Sequence, residues 1–231
     1  QGNEESESPT ISGDGRFVAF LSEATNLVPD DTNGEKDIFV RDLVAGLTTR
    51  VSVATGGGEG QGQSGSFGEP AISVDGRFVV FYSLAPNLVP DDTNGDWDLF
   101  VHDRLQVRTR RVNVDSNGAQ AKGGPVGLLP LVSPAISADG RIIAFASMAT
   151  NLVPGDTNRV SDIFVRDLEV GTTTRASVSS NGLQADRTCN EPFLSADGRY
   201  VAFTSGARNL VPDDTNGLGD VFVHDREMGV T

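Results

Sequence analysis

Asp31, Asn33 and Asp37 surround Gly34 in the stretch Asn26-Leu-Val-Pro-Asp-Asp-Thr-Asn-Gly-Glu-Lys-Asp37, and oxygen side chains at such spacing suit one chemistry above others. Hard cations bind clustered carboxylate, amide and carbonyl oxygens, and calcium loops set Asp or Asn at alternate positions with a glycine at the sharp turn. The stretch recurs at Asn87 to Asp98, Asn151 to Asp162 and Asn209 to Asp220. The candidate ligands are Asp31, Asn33, Asp37 and the carbonyl of Glu35, then Asp92, Asn94, Asp98 and Asp96, then Asp156, Asn158 and Asp162, then Asp214, Asn216, Asp220 and Leu218. Pro29 stands where a first ligand would be, so a carbonyl, a water or Asp30 has to replace it. The expectation is structural calcium, up to one ion per repeat, clamping each loop and offsetting part of the protein's negative charge.

Turn chemistry is the competing explanation, since Asp, Asn and Gly also cap themselves through side-chain to backbone hydrogen bonds. The third copy bears on the choice. It keeps Asp156, Asn158 and Asp162 but has Gly155 and Arg159 where the others have Asp and Gly, so weaker binding or none is expected there. Catalysis has little to stand on. His102 and His224 replace Arg41 and Arg166 of the sister repeats, and Ser12 and Ser137 lie in no Gly-x-Ser-x-Gly elbow. Adjacent pairs such as Asp30-Asp31, Asp91-Asp92 and Asp213-Asp214 do not straddle a substrate as an acid and base must. Trp97, inside the second loop, reads as a cover of the blade edge, with a binding aromatic at the rim as the alternative, and Cys189 falls in a polar linker as an incidental thiol.

The 231 residues carry 32 acidic and 18 basic side chains, a net charge of −14, which opposes nucleic acid and anionic membranes as partners. One cysteine excludes an intrachain disulfide framework. No apolar run approaches the roughly 20 residues that cross a bilayer as a helix. A chain that opens at Gln1 reads as a processed or excised segment.

The elements that must position the loops repeat with them. Pro9, Pro70, Pro134 and Pro192 open successive repeats, 61, 64 and 58 residues apart, yet each Asp-Gly-Arg aspartate lies 17 residues before its loop aspartate. Length varies only in the linkers Ala54 to Glu69, Asp115 to Ser133 and Ser179 to Glu191. The repeats run approximately 9–69, 70–133, 134–191 and 192–231, as a single domain or a segment of a larger one. Each repeat predicts four strands, in the first Pro9 to Ser12, Arg16 to Ser22, Asp37 to Asp42 and Thr48 to Val53, with Asp14-Gly15 as a hairpin turn. Asp42, Asp103 and Asp167 each precede an arginine by eight residues, at Arg50, Arg111 and Arg175, whereas the fourth repeat reaches Thr231 without one, and so lacks its fourth strand.

Four-stranded antiparallel units, each apolar on both faces of the second strand, describe an all-β propeller. The pattern Ser-Pro-x-x-Ser-x-Asp-Gly-Arg-x-x-x-Phe at Ser133 to Phe145, followed by Asp-Ile-Phe-Val-Arg-Asp, resembles the PD40 or TolB-like, WD40-type propeller repeat, and the resemblance covers essentially the whole chain. The Asn-Leu-Val-Pro-Asp-Asp-Thr-Asn-Gly insertion resembles a subtype of exported bacterial proteins and the calcium loops of other propellers. The resemblance implies a non-catalytic, extracellular or periplasmic scaffold that binds a protein or glycan. The alternatives are the propeller part of a peptidase-like enzyme of the prolyl-oligopeptidase type, and a structural polymer assembling through the unfinished fourth repeat.

Overall fold

The computed structural model describes residues 1–65, 68–123 and 133–231, so positions 66–67 and 124–132 of the first two predicted linkers lie outside the described residues. Each repeat folds because its Asp-Gly turn reverses the chain between two apolar strands. Gly15 adopts a φ of 72°, the left-handed region where glycine is unstrained. Asp14 accepts the Ser12 hydroxyl and the Arg16 N–H, and Ser12 Oγ accepts the Phe17 N–H, so the turn's polar groups are satisfied locally. The same three contacts recur at Ser73, Ser137 and Ser195.

Fifteen strands result among the described residues, with no helix. The first sheet orders β1 (Ser6–Ile11), β2 (Phe17–Ser22), β3 (Asp37–Asp42) and β4 (Leu47–Arg50). The second orders β5 (Ala71–Ile72), β6 (Phe78–Ser83), β7 (Asp98–Asp103) and β8 (Arg108–Arg111). The third orders β9 (Ala135–Ile136), β10 (Ile142–Ser147), β11 (Asp162–Asp167) and β12 (Thr172–Arg175). The fourth has three strands, β13 (Cys189–Leu194), β14 (Tyr200–Ser205) and β15 (Asp220–Asp225). All neighbours pair antiparallel.

Three sequence expectations are corrected. The first strand begins at Ser6, ahead of Pro9, and absorbs a register shift between Glu7 and Thr10 where Ser8 has a φ of 52°. The fourth strand ends at Arg50 because Ser52 turns its hydroxyl onto β3 instead of continuing the ladder. Cys189 opens a strand and is fully buried, although the polar residues before it read as linker.

Two units divide the chain, Gln1–Val112 with the first two sheets and Asn113–Thr231 with the last two. The first unit is centred on Leu21, Ile38, Val40, Val79, Phe81 and Phe100. The second is centred on Ile142, Ile163, Val165, Val201, Phe203 and Phe222. In every sheet one phenylalanine of the second strand faces one of the third in register: Phe20 with Phe39, Phe81 with Phe100, Phe145 with Phe164, Phe203 with Phe222. Their ring centroids lie 5.8 to 6.2 Å apart, within the range of favourable aromatic pairing. Fully burying such a ring contributes about 1.5–3 kcal/mol, and of these rings Phe20 is only half-buried.

A second repeated contact locks the turn to the sheet. Arg16 grips Asp42 with Nε at 3.0 Å and Nη2 at 2.7 Å, joining the start of β2 to the end of β3. Arg77 with Asp103, Arg141 with Asp167 and Arg199 with Asp225 do the same. Each aspartate also accepts two backbone N–H groups of the following turn, Val44 and Ala45 for Asp42.

Candidate functional site

The loop before each third strand is shaped by its asparagine. Asn33 Oδ1 accepts the Glu35 N–H at 2.9 Å, while its amide donates to Asp37 Oδ2 at 3.1 Å and to the Gly60 carbonyl at 3.0 Å. Asn94, Asn158 and Asn216 repeat the turn toward Asp96, Val160 and Leu218, and donate to Asp98, Asp162 and Asp220. At the turn Gly34, Gly95 and Gly217 have φ of 67°, 67° and 69°, and Arg159 adopts 60°, so the third loop keeps its shape despite the side chain.

In three loops an arginine stands among the acidic oxygens. Arg50, at the end of β4, places Nη1 3.2 Å from Asp31, 3.1 Å from Asp37 and 2.6 Å from Glu59. Arg111 lies 3.3 Å from both Asp92 and Asp98. Arg175 lies 3.6 Å from Asp156, 3.1 Å from Asp162 and 2.7 Å from Gln184 Oε1. Asp37, Asp98 and Asp162 are fully buried, a position that a carboxylate holds only when paired. Ser52 and Ser177 each donate a hydroxyl to theirs at 2.5 Å.

Charge is balanced inside these cages. Burial raises the Asp37 and Asp31 carboxyls above their ordinary range, with Arg50 pulling both the other way. For Glu59 burial again favours the neutral acid, but the Thr32 N–H and hydroxyl together with Arg50 outweigh it and hold the group at about 2. Sequence reasoning missed Glu59 and Gln184. Both lie nine residues beyond the arginine, and both cap the loop through its threonine, Thr32 or Thr157.

Oxygens of Asp31, Asp37 and Glu59 lie within 4.8 Å of one another, so the first cage has the donors of a cation site. Its centre is held by the guanidinium, and Asn33 turns its NH2 group, not its oxygen, toward Asp37. A calcium ion fits among these oxygens only with the arginine displaced.

The fourth loop differs. Asn216 and Asp220 keep the sister contacts, but no basic side chain lies within ion-pair distance of Asp214 or Asp220 among the described residues. Asp214 Oδ1 is buried with no hydrogen-bond partner among them. A groove of about 380 Å³ runs past Asp214, Asn216 and Asp220 along β15 to Thr231.

The side chains that could have suggested catalysis are engaged elsewhere. Thr109 donates its hydroxyl to the Val53 carbonyl, so the buried His102, 2.9 Å away through Nδ1, is the donor to Thr109 Oγ1. Arg41 and Arg166 serve Thr48 and Thr173 in the same way, and His224 serves Thr231. Burial pushes the Cys189 thiol up to about 12, and Trp97 is half-buried in its loop.

No protein-family model and no curated protein matches the chain. Solved structures do. TolB from Acinetobacter baumannii superposes with a TM-score of 0.54 at 18% identity over 98% of this chain and 42% of that one. A putative TolB from Agrobacterium tumefaciens gives 0.55 at 17% identity, over 97% of this chain and 60% of that one. The fold is that of β-propeller blades. The propeller domain of the Trilobed protease from Pyrococcus furiosus also gives 0.55, at 12% identity over 97% of this chain and 56% of that domain's chain. The chain thus spans about half the length of the structures it resembles, with three four-stranded blades and one of three strands.

Proposed function

We propose that this chain is a non-catalytic propeller module of an extracellular or periplasmic protein, acting by binding a partner. The observation that supports this reading is the propeller-blade fold, which superposes on TolB structures over 97–98% of this chain. The side chains that could act as nucleophile or base are meanwhile tied into turns and strand contacts. No helix is long and apolar enough to cross a membrane among the described residues.

Calcium has a narrower place in this reading than one ion per repeat. Three loops have an arginine at the cation position, while in the fourth Asp214 and Asp220 line a groove and make no ion pair among the described residues, although Asn216 turns its amide toward Asp220 as in the sister loops. Structural stabilisation by calcium is therefore assigned to the fourth blade, and grows with the logarithm of free ion above its dissociation constant. Melting the protein in calcium and in EDTA tests it: a modest calcium-dependent rise supports the assignment, and identical melting removes calcium from the account. Assays with general peptide and ester substrates test the non-catalytic reading, which turnover abolished by His102→Gln or His224→Gln would overturn.

A further inference from the structure

Arg104, which follows β7, carries a charge that its turn does not require. Its backbone N–H donates to the Arg77 carbonyl, and Leu43 and Leu168 make the same contact to Arg16 and Arg141 at this place in the first and third repeats. The side chain is nevertheless fixed. Nη1 donates to the Gly76 carbonyl at 2.7 Å, and the guanidinium lies 4.6 Å from the centre of the Phe17 ring. The neighbouring carboxylates are already taken, Asp42 by Arg16 and Asp103 by Arg77, and none lies within ion-pair distance of Arg104 among the described residues. The Phe17 face and the Gly76 carbonyl offset only part of the hydration that this half-buried cation gives up.

Arg104 borders a cavity of about 440 Å³ lined by residues of the first two repeats, all within the first unit. Val28, Pro29, Val51, Val53 and Val107 give it an apolar wall. No acidic side chain lines it, in a chain of net charge −14. Two other basic residues reach its margin. Arg50 has its guanidinium among Asp31, Asp37 and Glu59, and His102 is neutral, with its Nδ1 proton donated to Thr109. Among the lining residues, all of them described, Arg104 alone holds an unmatched charge. Arg226 is the contrast: it makes the same contact to the Gly198 carbonyl, but borders a groove shared with Asp139, Asp167, Asp197 and Glu227.

We propose that the cavity beside Arg104 binds a small organic carboxylate with an apolar body, the carboxylate paired with Arg104 and the body laid against Val28, Val51, Val53 and Val107. The planar guanidinium suits two parallel hydrogen bonds to a carboxylate, and such charge-assisted bonds are stronger than neutral ones. A cavity of this size accommodates a molecule of about two rings, and apolar walls with few polar groups are the usual make-up of small-molecule sites. The site needs no macromolecular partner, so it stands independently of the binding-module reading.

The probes are 1-naphthoate and its uncharged counterpart 1-naphthamide, titrated calorimetrically into the intact chain near neutral pH. One saturable site is expected, at least about tenfold tighter for the carboxylate than for the amide. Arg104→Leu, a change to the side chain of the sister repeats, should bring the carboxylate down to the level of the amide. Thr49→Phe keeps every charge and crowds the cavity from β4, so it should weaken both probes. The melting transition of each variant is recorded first. If Arg104→Leu does not fold, the ratio of carboxylate to amide affinity in the wild type and the effect of Thr49→Phe decide the matter. Equal affinities for the two probes, an affinity untouched in folded Arg104→Leu, or no saturable binding overturns the proposal. Inorganic phosphate that binds as tightly as naphthoate also overturns it, reducing the site to a seat for any anion.

Discussion

Arg50 Nη1 lies 3.1 Å from Asp37 Oδ2 across two adjacent strands, and this contact sets the character of the loop that precedes β3. The carboxylate is fully buried and the arginine nearly so, which makes the pair worth little in itself but costly to break. A loop rich in acidic and amide oxygens is thereby held by an arginine of the same fold.

Removing the guanidinium leaves Asp31, Asp37 and Glu59 facing one another. Arg50→Ala is expected to lower stability by about 3–5 kcal/mol, measured by urea denaturation. Arg50→Lys should recover only part of it, because an ammonium cannot fork among three carboxylates. Calcium should raise the melting temperature of Arg50→Ala more than that of the wild type, as the emptied cage regains its donors.

The turn-to-strand pairs predict an acid limit. Arg199 holds the Asp225 carboxyl down at about 2 against an ordinary 3.8, and Arg16 lowers Asp42 in the same way. A lowered folded value means that the stabilisation is complete above pH 4 and is lost as the pH falls toward 2. Arg199→Gln should flatten the stability profile across that window by lowering stability at pH 7 toward its low-pH level, and part of the slope should remain because Asp225 keeps its two backbone donors.

His102 predicts a second, higher window. Burial pushes its imidazole down to about 4 from 6.5, so the unfolded chain binds a proton that the folded chain refuses. Stability should fall as the pH drops from 6.5 to 4, at up to ~1.4 kcal/mol per pH unit. His102→Gln should reduce that slope, leaving the part that the likewise lowered His224 contributes. A slope unchanged in the variant would place the proton elsewhere.

Much of this fold is legible in the sequence because its determinants are local. The Asp-Gly turns and the strand Asp37 to Asp42 follow from adjacent residues, and the repeat period multiplies each signal fourfold. What the sequence hides depends on pairing across the sheet. Arg16 and Asp42 are 26 residues apart, and Arg50 meets Asp37 only because β3 and β4 lie side by side. Glu59 reaches the same cage from a linker whose glycines suggest only a surface connection. Cys189 was concealed by its neighbours' polarity, since Thr188 and Asn190 flank a side chain packed beneath β14.

Cys189 gives a simple check on that packing. Its thiol touches Ser205 Oγ and is raised by burial, so it should resist alkylation at pH 8 in the folded protein and react at once in denaturant. Rapid labelling of the native chain would show that β13 opens.

The most direct test of the account is a calorimetric count of calcium sites on the demetallated protein, in the wild type and in Arg50→Ala. The arginine-filled cages predict no more than one site in the wild type, at the fourth loop, and one further site in the variant. Three or four sites in the wild type would contradict the account, showing that the ions and not the arginines hold the loops.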